Sequence, residues 1–173
     1  MHTNYALFDA YDESQYTKIF FDAETGGFVV AHKKHGKYEL EGNKKVALLL
    51  TQHGYGIVLL ENLQNVVSAD ATVDGELWEF KTIAKTINMS HSVQRNIARG
   101  KYQAPNVLIF INQAYNSNDV TKGIYNAVKF DEKELIEHIG ILFQNAVLRI
   151  FSRAEILNES FRAQFLEGNN KGG

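Results

Sequence analysis

Cysteine is absent from the 173 residues and proline occurs once. Without thiols the chain can form neither a disulfide nor a thiolate metal site, which excludes secreted disulfide scaffolds and zinc ribbons. Long apolar runs are also missing. The longest, near 46–50 and 107–111, fall far short of the roughly 20 residues that a helical membrane span requires, so no membrane partner is expected. The opening Met1-His2-Thr3-Asn4-Tyr5 lacks a basic region followed by an apolar stretch, and a cytoplasmic location is expected for the sequence as given. Neither sign of charge dominates: 18 basic residues stand against 20 acidic ones, a net charge of −2. Whole-surface attraction to nucleic acid is therefore not expected, and any such binding has to come from a local patch. What the chain has is an apolar fraction of 45%, enough for an ordinary core in a chain that can bury about two-thirds of its unfolded surface. The expectation is a single domain over 1–167, with its core at about 39–152 and a flexible polar tail at 168–173.

Two β-rich runs, 17–22 and 28–31, flank Ala23-Glu24-Thr25-Gly26-Gly27 and predict an N-terminal hairpin. Val46, Leu49 and Leu50 lie at i, i+3 and i+4, so 39–53 reads as a helix that Gly54 ends, with a strand following at 57–60. Asp74-Gly75 between β-prone runs is a strong two-residue hairpin signal, because a type I′ turn needs positive φ at both positions. A helix is predicted at 88–99, capped by Asn88 or Ser90 and stopped by Gly100. A strand buried on both faces follows at 106–112. Helices at 119–128 and 132–141, a strand at 146–152 and a closing helix at 154–166 complete a mixed α/β order. The expected architecture is a mixed central sheet with helices on both faces, preceded by the N-terminal hairpin.

If Asp74 and Gly75 form the whole loop, Val73 faces Glu76, Thr72 faces Leu77, Ala71 faces Trp78, and Asp70 faces Glu79. Directly opposed side chains on an antiparallel pair lie about 4.5–5.5 Å apart. Lys81, two residues beyond Glu79, projects from the same face. Two carboxylates and a nearby ammonium suit a hard cation, Mg²⁺ or Mn²⁺, whose shell is completed by water. The lysine can then orient or help deprotonate a water that attacks a phosphodiester. On spacing alone, a solvated strand face with paired charges is the commoner arrangement.

Asp70, followed after a short hairpin by Glu79-Phe80-Lys81, resembles the Asp…(Asp/Glu)-x-Lys signature of the PD-(D/E)XK nuclease superfamily, with Ala69 where many members carry proline. The ordered neighbours His53-Gly54-Tyr55, Ile57-Val58-Leu59-Leu60, Trp78-Glu79-Phe80-Lys81-Thr82 and Gln103-Ala104 extend the likeness. Over roughly 20–111, and more loosely to 151, the chain resembles the C-terminal tRNA-nuclease domain of CdiA-type contact-dependent inhibition toxins and related phage and mobile-element proteins. The resemblance implies a restriction-endonuclease-like fold and a divalent metal held by Asp70 and Glu79, with Lys81 as the residue that manages the water. It also implies an acidic residue on the first helix, Glu41 or alternatively Glu39. Gln103 matches a glutamine before the next strand, whose amide would hold the lysine or the substrate phosphate. Glu41 and Gln103 read equally as a first-turn glutamate favoured by the helix dipole and as a loop amide.

The charge pattern gives separate support. No acidic residue occurs from 80 to 118, whereas Lys81, Lys85, Arg95, Arg99 and Lys101 fall within that stretch. Arg95 and Arg99 share a helix face and can contact successive phosphates, and Tyr102 can stack a base. His32 and His35 flank Lys33-Lys34 in an expected solvated loop; His53 lies at a helix C-terminus, and His138 sits in an apolar helix with a structural role. There is no phosphate-binding glycine loop or Gly-x-Ser-x-Gly elbow. The expected function is a metal-dependent nuclease acting on tRNA or other structured RNA, as a toxin or mobile-element component with an inhibitor or immunity protein as partner. Two alternatives are a non-catalytic module that binds nucleic acid or protein on a degenerate nuclease fold, and a DNA endonuclease of the same fold.

Overall fold

The computed structural model describes residues 3–63 and 66–167; the tail expected at 168–173 lies outside them. The fold is mixed α/β, with eight strands and six helices among the described residues. The chain divides between Phe80 and Lys81 into two compact units.

The first unit contains α1 (Thr3–Asp9), β1 (Tyr16–Phe21), β2 (Phe28–His32), α2 (Leu40–Thr51), β3 (Gly56–Leu59), β4 (Ala71–Val73) and the first part of β5 (Glu76–Ile83). β1 and β2 form the expected antiparallel hairpin, with an irregularity between Lys18 and Phe20. β2 then runs parallel to β3 across the α2 crossover, and β4 returns antiparallel to both β3 and β5. Side chains alternate along a strand, so β2 and β3 present two apolar faces. Phe28, Val30 and Val58 pack with Phe8 and Tyr11 around α1, while Val29, Ala31, Ile57 and Leu59 on the alternate positions are buried, and α2 packs on both strands. The packing is close: a Cβ at Gly27 would lie 2.3 Å from the carbonyl oxygen of Thr51 in α2. α1 was not anticipated, because its seven residues are too few to show a helical period.

The second unit holds the end of β5, α3 (Met89–Gly100), β6 (Asn106–Ile111), α4 (Ser117–Lys129), β7 (His138–Phe143), β8 (Leu148–Ser152), α5 (Arg153–Leu157) and α6 (Phe161–Glu167). β6 is buried along its whole length and pairs in parallel with β7, which pairs antiparallel with β8. Val107, Ile109 and Ile111 meet Val93 and Ile97 of α3 and Val120 and Ile124 of α4 in one cluster.

Three sequence expectations need correction. The run 132–141 is not helical: α4 ends at Lys129 and β7 begins at His138, because the Ile139-Gly140-Ile141 stretch finds a parallel partner in β6, where Asn106 pairs with His138. That pairing overrides the helical spacing of the apolar residues. The closing helix is broken into α5 and α6, with Glu159 at φ +63 between them. Gly100 lies inside α3 and Lys101 caps it.

Candidate functional site

The β4–β5 hairpin turns as its sequence dictates. Asp74 and Gly75 have φ of 48° and 89°, the pair of left-handed residues that a type I′ turn demands. The observed pairs are Val73 with Glu76, Thr72 with Leu77, and Ala71 with Trp78. Asp70 and Glu79 are the next residues beyond the last of these pairs, at the end of the hairpin away from the turn. Here the main-chain ladder gives way to a side-chain bond: the Phe80 N–H donates to Asp70 Oδ2 at 2.9 Å, while the Leu60 N–H donates to the Asp70 carbonyl at 2.9 Å.

The other carboxylate oxygen of Asp70 is held from α2. Asn43 Nδ2 donates to Asp70 Oδ1 at 3.0 Å and also reaches His35 Nε2 at 3.1 Å; His35 Nδ1 in turn lies 2.6 Å from the Leu60 carbonyl. His35 and Asn43 are both buried. His35 is therefore not in a solvated loop, which corrects the sequence expectation. Neither residue carries a signal in the sequence, since an Asn in the first turn of a helix reads as a cap and the His as a loop residue.

Glu79 is 2% exposed, an environment in which a carboxylate is costly unless donors or a cation face it. Lys81 is half-buried, two positions along the same strand. The structure does not bring Glu41 to Asp70. It is exposed, two residues before Asn43 and so about 200° around the helix from it, and it lines a groove of α2 with Lys44, Lys45 and Leu48. The alternative, Glu39, is the N-cap residue and accepts a long bond from Asn62 at 3.4 Å. On α2 the residue that contacts Asp70 is thus an amide, not an acid.

In the second unit α3 is amphipathic. Met89, Val93 and Ile97 are buried, while His91, Arg95 and Arg99, each four residues apart, are exposed along the opposite side. Asn88 caps the helix by accepting from the His91 N–H at 3.0 Å. Lys85 and Tyr102 are exposed, and Gln103 is half-buried in the turn that leads to β6. Lys101 does not belong to this face. Its ammonium lies 3.0 Å from Asp131 Oδ1, and Arg153 holds Asp131 Oδ2 at 2.9 Å, around a carboxylate whose side chain is fully buried. Burial alone would raise the Asp131 pKa, but the Ile136 N–H, Lys101 and Arg153 outweigh it and hold the carboxyl below its ordinary value. His138, expected within a helix, instead opens β7 with Nδ1 2.9 Å from Asn106 Oδ1.

The donor set decides which cation these residues could take. Among the described residues no group of three or more His, Cys, Asp or Glu side chains is placed to hold a metal. Each Asp70 oxygen accepts one N–H and keeps a second lone pair, and Glu79 adds further oxygen donors. Carboxylate oxygens of this kind would suit a hard cation that takes one or two carboxylates and keeps most of its waters, as Mg²⁺ does, rather than zinc.

The fold is that of a mixed α/β domain whose distinguishing feature is an acidic hairpin end. Residues 67–146 match the family described as the contact-dependent growth inhibition CdiA C-terminal domain. This match covers β4, β5, α3, β6, α4 and β7 and includes Asp70, Glu79, Lys81 and Gln103. Among solved structures, the chain is similar to the CdiA-CT/CdiI toxin and immunity complex from Burkholderia pseudomallei, with 14% identity over 66% of this chain and 85% of that one and a TM-score of 0.48. No curated protein matches the chain. Among the described residues no helix is long and apolar enough to cross a membrane.

Proposed function

We propose that this chain is a nuclease toxin domain of the CdiA C-terminal kind, of PD-(D/E)XK type, that hydrolyses phosphodiester bonds in tRNA or another structured RNA with Mg²⁺ or Mn²⁺. The observation that carries the reading is the register of the β4–β5 hairpin, which ends with Asp70 and Glu79 as successive neighbours of the Ala71–Trp78 pair. Asp70 and Glu79 would hold the metal. Bound there, a divalent cation would neutralise charge on the scissile phosphate and acidify its own water. Lys81 Nζ positions the attacking water, and the Gln103 amide holds the lysine or a phosphate oxygen. The exposed Arg95 and Arg99, with Lys85 nearby in sequence, take the substrate backbone, and Tyr102 stacks on a base. A producing cell has to keep such an enzyme inactive, so the partner is an inhibitor protein, and the enzyme acts in the cytoplasm of a target cell.

The test is incubation with tRNA, single-stranded DNA and duplex DNA, each with Mg²⁺, Mn²⁺ or EDTA. Cleavage of tRNA alone, abolished by EDTA and by Lys81→Ala, is the expected result. Cleavage of duplex DNA would transfer the reading to a DNA endonuclease. RNA binding without cleavage in any metal would make the chain a non-catalytic module.

A further inference from the structure

The Asp70 carboxylate is held on two sides, and one of its holders is itself held. The Leu60 carbonyl can only accept, so His35 Nδ1, 2.6 Å away, carries the ring proton and donates it. His35 Nε2 then presents a lone pair to Asn43. Asn43 thus faces an acceptor on each side, the imidazole nitrogen at 3.1 Å and Asp70 Oδ1 at 3.0 Å, and only its NH₂ end, with two hydrogens, satisfies both. Reversing the amide would set a carbonyl oxygen against the carboxylate. The tautomer of a buried histidine consequently selects the orientation of a buried amide, which fixes one oxygen of the carboxylate.

We propose that His35 and Asn43 are positioning residues for Asp70: a relay running from the Leu60 carbonyl through imidazole and amide turns the carboxylate so that the remaining lone pair on each oxygen faces the cation. This rests on the proposed role of Asp70 as a metal ligand. The relay replaces an acid on α2 with a neutral donor, so α2 contributes orientation rather than charge. Partners that orient a ligand in this way typically change metal affinity or activity by about 10–100-fold when lost.

Two His35 variants separate orientation from mere packing. His35→Gln keeps an acceptor near the Nε2 position for Asn43 and gives up the bond to Leu60. His35→Asn keeps a donor near Nδ1 for Leu60 and gives up the bond to Asn43. The readouts are Mn²⁺ binding by the full chain and the amide resonance of Phe80, whose N–H donates to Asp70 Oδ2 and so reports the carboxylate's orientation whether or not the chain cleaves anything. Asn43→Ala and His35→Asn are expected to shift the Phe80 resonance and to weaken Mn²⁺ binding about tenfold or more, while His35→Gln stays near wild type in both. Thermal melts of all three identify any variant that fails to fold, and the His35 pair is compared only between folded proteins. If the Phe80 resonance is unmoved in folded Asn43→Ala, or if His35→Gln and His35→Asn are equally impaired, the relay is overturned. If the wild type binds no Mn²⁺, the metal reading fails by itself and the Phe80 resonance still decides whether the relay orients Asp70.

Discussion

The register of the hairpin was legible in the sequence as far as the Ala71–Trp78 pair, because a two-residue turn converts spacing into pairing, and Asp70 and Glu79 are the residues just beyond it. Asn43 and His35 were not legible. Asn43 is 27 residues from Asp70, and nothing local to either residue announces a hydrogen bond made by tertiary packing. The difference changes what removal of the carboxylate should do. Two facing carboxylates considered alone predict that losing one relieves repulsion and leaves stability unchanged or higher. In the structure, Asp70→Ala strips the acceptor from the Phe80 N–H and from Asn43, and leaving buried donors without partners costs about 1–3 kcal/mol each. Urea unfolding in EDTA is therefore expected to show a loss of that order. An unchanged midpoint would mean that water replaces both bonds.

At the level of elements, strands and helices with strong local signals came out close to their expected limits. These include the Asp74-Gly75 hairpin, the Asn88 cap of α3 and the apolar strand β6. The failures were elements defined by a distant partner. β7 exists because β6 offers it an edge, and a short apolar run cannot reveal that. Lys101 looked like a phosphate ligand because charge in a sequence carries no record of where its counter-ion lies, and Asp131 is 30 residues away. Two experiments separate these roles. Arg95→Ala combined with Arg99→Ala should weaken RNA binding across all sequences and reduce its salt slope by about one unit per lost contact, whereas Lys101→Ala should leave that slope unchanged. Filter binding at several salt concentrations reads both. Asp131→Ala should cost about 3–5 kcal/mol, since it leaves two cations around a buried gap. Because the folded Asp131 pKa is depressed, its contribution is complete above the ordinary aspartate value and is lost as the pH falls through the lower folded value. Acid unfolding of the wild type should therefore be steeper than that of Asp131→Asn, as followed by circular dichroism.

For the molecule as a whole, the mixed α/β class followed from the order of helical and β-rich segments. The division between Phe80 and Lys81 did not, because it falls inside β5 and not in a Gly- or Pro-rich linker. A cut there severs β5, so fragments 1–80 and 81–173, made separately, should each be inactive in the cleavage assay. Activity of either fragment alone would show that an intact β5 is not required.

The turn at Asp74-Gly75 sets the pairing three rungs away, yet a Cβ at Gly75 would find nothing within 4 Å. The hairpin thus behaves as a ruler whose handle lies in the open. Space at the tip would admit a tag or a fluorophore, but length there is read out at the carboxylates. One inserted residue would move every rung by half a pleat and turn Asp70 away from the partner side of Glu79. A single glycine added after Gly75 should therefore abolish Mn²⁺ binding, whereas Gly75→Asn, which tolerates the left-handed turn, should preserve it. A solvent-exposed turn would then be among the least permissive places in the chain for insertions, and open space at its tip would leave the left-handed backbone as the limit on which side chains it accepts.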